Sequence, residues 1–166
     1  ELLFRAAPQA SYVGVTGTNG KSTTTALIGH ILNESNIDNR VGGNIGSPVL
    51  ALDPLSKGGF FVLEMSSYQL ELTPSAAFNI AVMLNVSADH LDRHGGMAGY
   101  IEAKKLIFAN QAASNIAIIG IDDAPSKTIY TSLKAEGVQQ VIPISSHARV
   151  DGGVYVLNGV LYDSLD

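Results

Sequence analysis

The 166-residue sequence contains no cysteine and no tryptophan. Without thiols there is neither a disulfide framework nor a thiolate metal centre, which suits a reducing compartment. Positive charge is scarce too: 10 lysines and arginines against 15 aspartates and glutamates leave a formal net charge of -5. A chain with that balance has no basic surface to attract a polynucleotide backbone or an anionic membrane, so neither partner is expected. Long apolar runs are also missing. FFVLEM and IAVML are strand-length, far below the roughly 20 residues a helix needs to cross a bilayer, and no basic-then-apolar leader opens the chain. The expectation is a cytoplasmic monomer of one domain, long enough to bury a core. Its ends, ELLFRAAPQ without an initiator methionine and VLYDSLD without a closing element, read as those of a segment of a larger protein.

What the chain does have is a series of short apolar runs: YVGVTG, FFVLEM, IAVMLNV, NIAIIG and QVIPIS. Helical spacing falls between several of them, at 22–34, 100–110 and 125–136. Runs that are continuous rather than alternating predict strands buried on both faces, hence an α/β fold with a mostly parallel sheet flanked by helices. The end differs. GGVYVLNGVLYD alternates on both sides of Asn158-Gly159 and predicts a type I′ β-hairpin at the sheet edge. No repeat or low-complexity tract interrupts the pattern.

The first run leads into Gly17, Thr18, Asn19, Gly20, Lys21, Ser22 and Thr23, at the junction of a strand and a helix. Helix-opening amides point outward unpaired, and glycines let an anion approach them closely. This is a phosphate-loop pattern of the kind found in nucleotide hydrolases, although Val15 stands where its first glycine would fall. Lys21 would reach the outer phosphates of a nucleotide and the Ser22 hydroxyl a magnesium ion. In an open parallel sheet, ligands bind beyond the carboxyl ends of the strands. There the second run ends in Glu64, Ser66 and Ser67, and the carboxylate is well placed to hold Mg²⁺. A third ends in Asn85, Asp89, His90, Asp92, Arg93 and His94. His90 stands as a ligand candidate because it shares this end of the sheet with Lys21 and Glu64. His94 has less support, and His30 and His147 have none. VGGNIGSP, with three glycines around Asn44, is read equally well as a plain turn or as backbone that approaches a ligand. On the helix at 100–110, Lys104 and Lys105 are indistinguishable by pattern.

Taken in order, GVTGTNGKST, GGNIG, LEMSSYQLE, LNVSADHLDRH and YIEAKKLIF resemble the central ATPase domain of the Mur ligase family over about 13–108. Together GGNIG and SSYQLE are similar to the branch that adds D-glutamate to UDP-N-acetylmuramoyl-L-alanine. The resemblance implies an ATP-dependent amide-bond ligase of peptidoglycan synthesis that works through an acyl phosphate. It further implies roles: Gly17, Thr18, Asn19, Gly20 and Thr23 in the nucleotide cradle, Lys21 on the β- and γ-phosphates, Ser22 and Glu64 on a first magnesium, and His90 on a second and near the substrate. Asn44 and Ser66 match positions that hold the muramyl substrate. Lys104 matches a lysine that becomes carbamylated and serves a metal. An N-terminal domain for the UDP moiety and a C-terminal domain for the amino acid lie outside the sequence on this reading. Alternatives are a sister ligase, a folate polyglutamylating relative, or a non-catalytic nucleotide-binding module. A GTPase-type switch would need an Asn-Lys-x-Asp guanine motif, which the sequence lacks.

Overall fold

The computed structural model describes residues 1–165. Eight strands form one sheet in the order β2-β3-β1-β4-β5-β6-β7-β8. They are β1 (Ser11–Thr16), β2 (Asn39–Gly43), β3 (Phe60–Glu64), β4 (Ile80–Met83), β5 (Ile116–Gly120), β6 (Gln140–Ser145), β7 (Val154–Leu157) and β8 (Val160–Asp163). Every pairing is parallel until the last, where β8 runs antiparallel to β7. Asn158 and Gly159 both have positive φ, 51° and 78°, as a type I′ hairpin requires. The expected α/β architecture with an edge hairpin is the one observed.

The helices are α1 (Leu2–Ala6), α2 (Lys21–Glu34), α3 (Ser67–Glu71), α4 (Leu91–His94), α5 (Met97–Lys105) and α6 (Ala124–Glu136). They cover the sheet unequally. Tyr12, Phe61, Leu63, Ala81, Met83, Ala117 and Ile119 alternate along their strands and pack with Leu70, Tyr100, Ile107, Ile129 and Leu133 from the helical face. The residues between them, Val13, Val15, Val62 and Val82, face the other way and meet Ile28 and Leu32 of α2. Burial on both faces therefore holds for the middle strands only. Ile116 and Ile118 of β5 are half-buried, as are Val141, Ile142 and Ile144 of β6, because α2 contacts β1, β2 and β3 rather than them.

Local signals explain the boundaries. Asp123 accepts a hydrogen bond from the Ser126 amide and caps α6, Pro125 occupies its first turn, and Gly137 ends it with φ 65°. The helix expected over 100–110 begins earlier, at Met97, and tightens into a 3₁₀ turn at Leu106–Phe108. The glycine-rich segment proves to be partly strand: Val41, Gly42 and Gly43 belong to β2. Gly43 has φ 102°, and a Cβ there would lie 2.3 Å from the Glu64 carbonyl oxygen. Here the close approach that excludes a side chain is to the neighbouring strand. Among the described residues no helix is long and apolar enough to cross a membrane.

Candidate active site

The phosphate loop lies where β1 gives way to α2. Gly20 precedes the helix in the left-handed region, with φ 83°, and no side chain caps the first turn. The opening amides of α2 therefore lack the usual side-chain acceptor and face outward. Gly17 has φ 155°, and a Cβ on it would sit 3.1 Å from Leu84 Cβ. The loop is bolted to the segment after β4. Thr18 N–H donates to the Asn85 carbonyl at 3.0 Å, Asn19 N–H to Asn85 Oδ1 at 2.9 Å, and Asn85 Nδ2 returns a bond to the Asn19 carbonyl at 3.1 Å. Thr18 Oγ1 accepts from the Ser87 amide at 2.9 Å and lies 3.3 Å from the Tyr100 hydroxyl. Two loop amides are thus occupied by this scaffold, and those at the helix opening are left for an anion.

Two lysines converge on one backbone oxygen. Lys21 Nζ donates to the Gly17 and Thr18 carbonyls at 3.1 and 3.0 Å, and Lys104 Nζ donates to the same Gly17 carbonyl at 2.8 Å. Lys104 reaches it from α5, is 1% exposed, and stands 4.7 Å above the Tyr100 ring. Burial, reinforced by the Lys21 charge and opposed by Asp89, lowers its pKa to about 8. Lys105 points elsewhere, pairing with Glu102 at 3.0 Å. Tertiary structure thus separates two lysines that the sequence pattern could not.

Glu64 ends β3 beside Val15, in register with it, and is 2% exposed. Asn44 binds it twice, through its amide to the Glu64 carbonyl at 3.0 Å and through Nδ2 to Oε1 at 2.9 Å. Oε2 is buried with no hydrogen-bond partner. An orphan carboxylate oxygen beside a phosphate loop suits a hard cation such as Mg²⁺, which needs only one or two protein carboxylates when phosphates and water complete its shell. Ser22, with an exposed side chain on the first turn of α2, offers a hydroxyl from the same end of the sheet.

Ser66 and His90 are placed differently. Ser66 caps α3 in a reciprocal box with Gln69: its Oγ accepts from the Gln69 amide, and Gln69 Oε1 accepts from the Ser66 amide at 2.9 Å. His90 opens α4 in the left-handed region, φ 50°, with its ring half-exposed, 3.5 Å from Asp89 Oδ2 and edge-on to Tyr68. Among the described residues no group of three or more histidines, aspartates and glutamates is gathered to hold a metal by itself. Glu64 and His90 are therefore not joined in a ready-made centre. Asn85 and Tyr100, which brace the loop, carried no role in the sequence reading; Asn85 was signalled by its place directly after a buried strand, whereas nothing local marked Tyr100.

A UDP-N-acetylmuramoylalanine--D-glutamate ligase from Caulobacter sp. (strain K31) is 53% identical over 152 residues, covering 92% of this chain and 32% of its own length. One of the same name from Rhodospirillum rubrum is 49% identical over 164 residues, 99% of this chain and 34% of its own. The chain thus spans about a third of the length of these relatives. Among solved structures, a UDP-N-acetylmuramoyl-L-alanyl-D-glutamate--2,6-diaminopimelate ligase superposes with a TM-score of 0.71 at 25% identity, covering 92% of this chain and 36% of its own. A MurF ligase from Thermotoga maritima in complex with ADP gives 0.68 at 21% identity, covering 96% and 39%, which supports the fold. The family model of the Mur ligase middle domain matches residues 15–156, and the chain belongs to the Mur ligase family.

Proposed function

We propose that this chain is the nucleotide-binding catalytic middle of an ATP-dependent ligase that joins D-glutamate to the alanine carboxylate of UDP-N-acetylmuramoyl-L-alanine in peptidoglycan synthesis. The supporting observation is the pairing of an open phosphate loop with a buried, half-satisfied carboxylate, in a chain about half identical to proteins named for that reaction. On this reading the parent protein is a cytoplasmic monomer, and further domains hold the UDP moiety and bring in the amino acid.

The chemistry asks two anions, a nucleotide and a carboxylate, to approach each other. Lys21 supplies positive charge where phosphate charge accumulates, and its present hydrogen bonds to Gly17 and Thr18 are ones a phosphate would replace. Gly17, Thr18, Asn19, Gly20 and Thr23 shape the cradle that keeps the nucleotide in line. Ser22 and Glu64 would hold Mg²⁺, which when bound neutralises phosphate charge, and His90 would serve a second ion or the substrate. Glu64 Oε2 is closed off from solvent, so a cation reaches it after a local opening of the loops around it. Asn44 holds the carboxylate in place from the β2 edge, and with Ser66 faces the proposed muramyl site. Lys104 fits the carbamate that the family resemblance implies. Its pKa of about 8, against an ordinary 10.5, leaves roughly a tenth of the amine neutral at pH 7, far more than an exposed lysine has; the neutral form is the one that adds CO₂, and the product exchanges a buried cation for an anionic oxygen ligand.

The test is phosphate release by the full-length parent supplied with UDP-N-acetylmuramoyl-L-alanine, ATP and Mg²⁺, with D-glutamate compared against L-lysine, glycine and L-alanine. Release that depends on D-glutamate alone is expected. Release with another acceptor reassigns the enzyme within the family, and none with any acceptor removes the ligase reading.

A further inference from the structure

The His94 side chain is only 1% exposed, although the residue as a whole is half-buried, and it is a polar group on a four-residue helix. Its Nε2 lies 3.0 Å from Ser67 Oγ, and its Nδ1 lies 3.5 Å from Glu71 Oε1 without another partner. The ring is held between Tyr68 and Tyr100, with centroids 5.4 Å from each. Every one of these contacts joins α4 to α3 or to α5. Arg93 adds two more to α3, an ion pair with Glu71 at 3.5 Å and a cation–π contact with Tyr68 at 5.6 Å.

The connections continue to the chemistry. α3 starts three residues after Glu64, and α4 starts with His90 as its cap. Tyr100, on the far side of the His94 ring, places its hydroxyl 3.3 Å from Thr18 Oγ1 in the phosphate loop and its ring under Lys104. The linker between α4 and α5 is Gly95-Gly96, with φ 69° and 113° and open space where a Cβ would stand, so backbone sterics there do little to fix how α4 sits against α5. The His94 carbonyl packs against Gly99 of α5, where a Cβ would collide with it, and side-chain contacts set the rest. His94 is the one residue of α4 that touches both neighbours through a ring and a hydrogen bond.

We propose that His94 is a positioning residue: through Ser67, Glu71, Tyr68 and Tyr100 it sets the register of α4 and α5 against α3, and thereby the placement of His90 and Lys104 relative to Glu64 and the phosphate loop. This rests on the reading of those residues as the metal and phosphate site. It accounts for the pairing of SSYQLE with HLDRH in one sequence: Ser67, Tyr68 and Glu71 are the receiving surface, and His90, Arg93 and His94 are what they receive. A histidine suits the task because it combines ring packing with a hydrogen bond at Nε2 and turns its other ring nitrogen towards the Glu71 carboxylate, whereas phenylalanine supplies the packing alone.

The experiment uses the full-length parent with His94→Phe, Ser67→Ala and His94→Gln, the last keeping an amide nitrogen near the Nε2 position. Two quantities are read: the Mg²⁺ concentration for half-maximal phosphate release, and amide hydrogen exchange of the phosphate loop and of residues 90–104 without substrates. H94F and S67A should raise the Mg²⁺ midpoint about 5- to 10-fold, the scale expected for one buried hydrogen bond, with a smaller effect on the rate at saturating Mg²⁺. Exchange should quicken in both segments, and H94Q should restore both readouts to within about 2-fold of the wild type. A merely structural role would lower the melting temperature of H94F and leave the midpoint and loop exchange unchanged, which overturns the proposal. So does an H94Q as impaired as H94F. Exchange needs no turnover, so unchanged loop exchange in S67A, the mildest variant, rejects the coupling whatever reaction the parent catalyses, while a parent without ligase activity rejects the function and leaves exchange to decide the positioning role.

Discussion

Lys104 is 1% exposed and Leu161 is 70% exposed, the reverse of what each side chain favours in water. The two residues represent two regions of one sheet. At the carboxyl ends of β3, β1 and β4, two lysines share a carbonyl, a carboxylate oxygen is buried without a partner, and a histidine is buried with one nitrogen unpaired. On the β7–β8 hairpin all four residues of β8 are exposed, and its ladder runs in regular antiparallel register to β7. The unpaired Glu64 and His94 atoms of the first region cost free energy, because an unpaired buried polar group loses water and gains nothing, and burial disfavours the Lys104 charge. The hairpin instead leaves apolar surface in solvent, which costs less per residue and asks nothing of the site. Polar strain concentrated at one end of the sheet, with regular structure elsewhere, is the pattern of a site built for a ligand that completes it.

The largest effect that would sharpen this contrast comes from Lys21→Ala in the full-length parent. Loss of a charge aimed at transferring phosphate costs on the order of 3–4 kcal/mol of transition-state stabilisation, so turnover should fall several hundredfold or more while the melting temperature stays within a few degrees. Near-normal turnover would break the phosphate-loop assignment. Glu64→Gln should lose activity similarly and regain part of it at higher Mg²⁺.

Next is the pH dependence of Lys104. Its folded-state pKa is about 8 against an ordinary 10.5, so the unfolded chain binds the proton more tightly. The resulting penalty on folding is fully present below pH 8 and is relieved as pH rises from 8 towards 10.5. Lys104→Met should therefore be more stable than the wild type near pH 7, and the gap should narrow by roughly 2 kcal/mol between pH 7 and 9.5. Urea titrations in CO₂-free buffer read it directly. A constant gap would show that the buried amine titrates normally.

Gly43→Ala should follow. Its Cβ would meet the Glu64 carbonyl at 2.3 Å in a backbone of φ 102°, so a loss of about 2–3 kcal/mol and a melting temperature lower by about 5–10 °C are expected. Wild-type stability would mean that the β2–β3 approach is looser than described. The smallest effect belongs to the hairpin: Leu161→Ser should change stability by less than about 0.5 kcal/mol and leave phosphate-loop exchange untouched. Any shift in the loop would dissolve the contrast between the two regions.

Much of the architecture was legible along the chain because its signals are local. Continuous apolar runs, the helical spacing at 125–136 and Asn158-Gly159 each act over a few residues. β2 was hidden because glycines weaken strand propensity, and it forms only because β3 is there to pair with. The short α3 and α4 were hidden for a related reason: helices of five and four residues are unstable alone and exist through their contacts.

The site divides along the same line. Sequence alone determined the phosphate loop, since glycines, a lysine and a serine between a strand and a helix create outward amides wherever they occur. It determined as well that Glu64 would stand at the carboxyl end of a buried strand, beside that loop. Only the tertiary structure decided that Lys104 rather than Lys105 turns inward, that Asn44 grips Glu64, that His94 is buried while His90 is half-exposed, and that Tyr100 reaches the loop. The contacts among them join residues 20 to 87 positions apart, and burial, pairing and the lowered pKa of an amine are properties of the surroundings that distant segments supply together.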